Sequence, residues 1–97
     1  MVTQTRPFDP AAYLNSEQAR AAYLSEALET GDPAFIADAL GIVARAQGMS
    51  QIARETGLSR ESLYRALSAE GNPEFTTVIR VVKSLGLKLT AVPQDQV

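Results

Sequence analysis

The sequence predicts an all-α domain of five helices, with an arm before the first helix and one short strand-like segment after the last. Three observations predict it. Capping residues and helix-ending glycines recur at intervals of about one helix length, the apolar residues between them repeat every three or four positions, and only the stretch from Leu87 to Val92 alternates instead. At 97 residues with 45% hydrophobic content, the chain suits a single modest core.

The elements follow in order. Asn15 with Gln18 three residues later resembles a capping box, and Ala19, Tyr23 and Ala27 recur at fourfold spacing before Gly31, so residues 15–30 read as a helix with a thin, alanine-rich apolar face. Asp32 and Pro33 supply an N-cap and a first-turn proline. Phe35, Ile36, Ala39, Leu40, Val43 and Ala44 then form a broad apolar stripe that ends at Gly48, the pattern of a core helix. Ser50 is placed to cap a short helix through Thr56, Gly57 to end it in the left-handed conformation, and Ser59 to cap another through about Ala69. Gly71, Asn72 and Pro73 make a turn, a cap and a helix start. Phe75, Val78, Ile79, Val82 and Leu85 trace one face of that helix up to Gly86.

A single strand leaves its backbone ladder groups unpaired, so Leu87, Lys88, Leu89, Thr90 and Ala91 are expected to pair with a second copy across a twofold axis. The bland alternative is a frayed tail that happens to alternate.

Composition excludes several classes. There is no cysteine and no histidine, which removes thiolate chemistry, disulfides, the usual general base and the commonest metal ligand together. The carboxylate pairs Glu26/Glu29 and Glu70/Glu74 have no base or phosphate loop beside them and read as solvated surface. Ser59, Ser62 and Tyr64 have nothing to activate them as nucleophiles. No enzyme, no cofactor and no metal is expected. No apolar run reaches the length of a signal peptide core or a membrane span, so a cytoplasmic protein is expected.

Net charge is -2, and it is unevenly spread. Residues 1–41 carry two arginines against six carboxylates, whereas residues 42–97 carry seven basic side chains against five acidic ones. The two halves are suited to different partners.

The stretch "MSQIARETGLSRESLYRAL" carries the most specific pattern. Ile52, Ala53, Gly57, Leu58, Leu63 and Ala66 occupy the small, glycine and apolar places that two steeply crossing short helices need, which is the spacing of a helix-turn-helix. Advancing about 100° per residue from Arg60 puts Tyr64, Ser68, Glu61 and Arg65 at roughly 40°, 80°, 100° and 140°, opposite Leu63 and Leu67. Arginine matches guanine or phosphate with its planar fork, glutamate accepts from cytosine, and hydroxyls reach the backbone. The DNA-binding candidates are therefore Ser50, Gln51, Ser59, Arg60, Glu61, Ser62, Tyr64 and Arg65. A merely solvated helix face is the alternative.

From about Phe8 to Pro93, the motifs "FDPAAYL", "GDPAFIADALG", "MSQIARETGLSRESLYRALS" and "GNPEFTTVIRVVKSLGLKL" resemble the antidote proteins of bacterial addiction modules, a HigA-like group of helix-turn-helix regulators. The resemblance implies a repressor-like helical DNA-binding domain. It also implies a homodimer on operator double-stranded DNA, and a RelE/ParE-like toxin as the partner it neutralises. By position, it assigns base contacts to Arg60, Glu61 and Arg65, and phosphate contacts to Ser50, Gln51 and Ser59. Thr56 stands where an apolar residue is commoner, and Met49 where related repressors often carry a phosphate-binding glutamine.

Residues 1–31 are then an arm and first helix suited to the toxin, 32–92 the DNA-binding domain with its dimerisation strand, and 93–97 a tail. In the arm, Phe8, Tyr13 and Leu14 beside Asp9 are the candidate toxin contacts, against the alternative that they cover the chain's own core. A stand-alone regulator, or an interaction module without DNA binding, are the competing functions.

Overall fold

A computed structural model of the chain describes residues 14–94. Five helices run in order: α1 Glu17–Glu29, α2 Pro33–Gln47, α3 Met49–Thr56, α4 Arg60–Ala66 and α5 Phe75–Ser84. α1 packs on α2, α2 on α3 and α4, and α3 on α4 and α5. None of the helices among the described residues is long and apolar enough to cross a membrane.

Ser16, not Asn15, caps α1: its backbone is extended and its Oγ accepts a hydrogen bond from the Ala19 N–H at 3.1 Å. Tertiary burial fixes this choice. Leu14 is buried in the core, and its carbonyl accepts from the Arg20 guanidinium at 3.0 Å, which sets the register in which the chain enters the helix. Only Leu24 and Ala27 of α1 are fully buried, in keeping with its thin apolar face. Tyr23 lies at the seam with α2. Burial raises its hydroxyl pKa above the ordinary 10.0, with Asp38 acting in the same direction and Arg45 opposing.

α2 forms the centre of the domain. Asp32 Oδ1 accepts from the Ala34 and Phe35 N–H groups at 3.1 and 3.5 Å, and Pro33 takes the first helical place, where a missing N–H costs no bond. Leu40, Val43 and Ala44 are buried against Ile52, Leu63, Leu67, Val81 and Leu85 from the other helices. Each such large side chain contributes about 1.5–3 kcal/mol of burial. In the middle of α2, Gly41 faces the backbone of Leu67, and an added Cβ would collide with the Leu67 carbonyl oxygen.

α5 starts at Phe75 and not at Pro73. Asn72 takes a left-handed φ of 47°, and Glu74 is extended and caps the helix without a side-chain hydrogen bond. Val81, Val82 and Leu85 are buried, and Gln47 Nε2 donates to the Ser84 carbonyl at 3.0 Å, tying the end of α2 to the end of α5.

No strand occurs among the described residues, and residues 87–94 carry no regular structure. The physical reason is that an alternating segment needs an edge to pair with, and five helices provide none. Leu87 turns toward the core, and Leu87 and Leu89 line a small cleft with Leu24 and Leu28 of α1. Leu89 and Val92 are exposed.

Candidate nucleic-acid interface

Both helices of the α3–α4 unit are short, at eight and seven residues, so neither is stable alone and both depend on the core beneath them. Ile52 of α3 and Leu63 of α4 are fully buried, and Met49 is 5% exposed. Met49 thus serves in packing. Gly57 ends α3 with φ 78°, a left-handed conformation that costs glycine little, and its N–H donates to the Ala53 carbonyl at 3.0 Å.

Thr56, a polar residue in an apolar place, is resolved by hydrogen bonding. It is 6% exposed, yet its Oγ1 donates to the Ile52 carbonyl at 2.8 Å and accepts from the Leu58 N–H at 3.3 Å, bracing the turn. Thr56→Val should preserve the shape but leave the Leu58 N–H without its acceptor. Chemical denaturation should show a loss of about 1–2 kcal/mol.

Ser59 caps α4 as its position predicts: its Oγ accepts from the Ser62 N–H at 3.0 Å and donates to Ser62 Oγ at 3.0 Å. The two hydroxyls therefore satisfy each other, and either proton is able to rotate toward a ligand. Ser50, by contrast, is not a cap. Gly48 begins α3 with no side-chain cap, and Ser50 sits exposed within the first turn. The first-turn N–H groups of α3 accordingly lack a side-chain acceptor, the condition in which a helix start attracts an anion. Gln51 is partly buried and donates from Nε2 to Glu55 Oε2 at 3.1 Å.

On α4, Arg60, Glu61 and Arg65 are exposed and Tyr64 is 42% exposed, while Leu63 and Leu67 are buried. The wheel arrangement is reproduced: polar side chains on one arc, core on the other. Neither Arg60 nor Arg65 makes a side-chain hydrogen bond or ion pair among the described residues. Arg54, which the sequence reading did not single out, is also exposed, at the end of α3. Its spacing of three and four residues from Gln51 and Ser50, on one helix face, was the available signal.

Of the arm residues, Leu14 is buried in this chain's own core. Phe8, Asp9 and Tyr13 lie outside the described residues. Of the residues expected to form a strand, Lys88, Leu89, Thr90 and Ala91 are exposed and Leu87 is partly buried.

A family profile described as "probable addiction module antidote protein" matches residues 4–93, nearly the whole chain. The chain belongs to this antidote family. An uncharacterized protein of Haemophilus influenzae (strain ATCC 51907 / DSM 11121 / KW20 / Rd) is 50% identical over 88 residues, covering 91% of each chain. No solved structure matches the chain. The family match spans the α3–α4 unit and α1 alike, so the antidote family implies a toxin partner for a chain with this whole architecture.

Proposed function

We propose that this chain is the antidote of a toxin–antidote pair, that it neutralises a RelE/ParE-like toxin, and that as a dimer it binds operator DNA through a repressor-like helix-turn-helix to repress its own operon. The family match supports the antidote role. The observation that carries the DNA role is the pair of outward guanidinium groups, Arg60 and Arg65, held without internal partners on a capped helix whose other face is locked by Leu63 and Leu67.

In this reading Arg60, Glu61 and Arg65 read base edges, with Tyr64 beside them. Ser50, Gln51, Ser59 and Ser62 line the phosphate backbone, with Ser59 also holding the helix start. Gln51 donates one Nε2 proton to Glu55 and keeps the second for a phosphate. Residues Leu87, Lys88, Leu89, Thr90 and Ala91 pair with their copies across the twofold axis, which supplies the edge that a single chain lacks. The arm's contribution to toxin binding narrows to Phe8, Asp9 and Tyr13, because Leu14 is already used by the core. The protein acts by binding and not by catalysis, and both partners place its work in the cytoplasm.

A gel shift with the DNA upstream of the gene tests the DNA role. A sequence-specific shift is expected. Its absence at low salt would favour an interaction module without DNA, a reading supported by the acidic pI near 5.0. If each subunit places about three groups on phosphates, a dimer displaces about six counterions, and log K should fall against log salt with a slope near -5. A flat salt response would contradict groove binding.

A further inference from the structure

A second surface lies apart from the outward arc of α4. The start of α2, the connection after α4 and the first turn of α5 enclose an open groove of about 560 Å³. Its floor is apolar, with Ile36, Leu40, Pro73 and Val78, and its charged lining consists of Asp32 and Glu70, with no cationic side chain. Phe75 precedes Val78 by three residues and so shares its face of α5, yet it is 72% exposed, a large aromatic held in water beside the groove.

We propose that this groove is a docking site for a segment of the toxin that presents an apolar side chain flanked by lysine or arginine. The proposal rests on the antidote reading above. Charge selects the occupant. A second copy meeting the groove patch-to-patch across a twofold axis would add two more carboxylates to the contact and no cation from the same lining. A cationic segment instead gains from both carboxylates, while its apolar residue covers Val78 and Phe75.

The test uses the full chain and the purified product of the reading frame adjoining its gene. Wild type is expected to form a complex with that product and to restore growth to cells expressing it. If it does neither, the antidote reading fails and the docking site with it. Glu70→Lys and Phe75→Ser alter exposed side chains, so both variants should keep the wild-type melting temperature. Each should bind the partner at least about tenfold more weakly, the scale on which an interface anchor registers. The Glu70→Lys complex should also lose part of its salt dependence. Wild-type partner affinity in both variants, with wild type still binding, would overturn the groove and leave the antidote reading intact. Partner affinity unchanged while self-association is lost would overturn it in favour of an interface between copies.

Discussion

Arg60→Ala is expected, if α4 reads operator DNA as proposed, to weaken that binding by about 1–3 kcal/mol per half-site, and Arg65→Ala by a similar amount, while leaving the folded state as stable as before. Both side chains are exposed and make no internal side-chain bond among the described residues, so truncation removes nothing the fold uses. On the proposed dimer with two half-sites, either change should move the affinity by roughly one and a half to four orders of magnitude. Fluorescence anisotropy on the operator and on a scrambled duplex distinguishes the roles. A loss confined to the operator marks a base contact, and an equal loss on both duplexes marks a phosphate contact. Unchanged affinity in both variants would remove α4 from the interface.

Gly41→Ala is expected to destabilise the protein by about 2 kcal/mol, although alanine is favoured over glycine by about 1 kcal/mol in the interior of an ordinary helix. The sign reverses because the new methyl group meets the carbonyl of Leu67, a backbone atom that cannot rotate away. Leu67 also closes α4, its N–H donating to the Leu63 carbonyl at 2.9 Å, so any displacement reaches that helix directly. Urea unfolding measures the loss. A variant more stable than wild type would show that α2 and α4 do not approach so closely.

Features set by adjacent residues were legible in the sequence. Asp32 with Pro33, Gly57 and Ser59 take the roles their positions predict, because each depends on a local hydrogen bond or dihedral angle. What escaped was decided elsewhere in the fold. Asn15 and Ser16 are both competent caps, and the burial of Leu14 selects between them. Ser50 reads as a cap only if a turn separates α2 from α3, whereas Gly48 alone ends one helix and begins the next. Pro73 is a legitimate helix start, but the left-handed Asn72 and extended Glu74 delay α5 to Phe75.

The outward arc of α4 was visible from periodicity, since burial of Leu63 and Leu67 forces its neighbours outward. The contact between the Ser59 and Ser62 hydroxyls was not, because it depends on the rotamers of both side chains. The groove beside α2 was equally hidden, since it joins residues from Asp32 to Val78 that share no local pattern.

The brevity of α4 has a practical consequence. Seven residues cannot hold a helical shape in isolation, so this element has no existence separate from the interior that supports it. Heating should therefore release any bound duplex in step with global melting, with no earlier stage in which the reading surface loosens alone. If α4 reads DNA as proposed, substitutions deep inside, such as Leu63→Ala, should silence that recognition from a distance, and a screen for lost repression should return interior positions alongside those that touch the ligand.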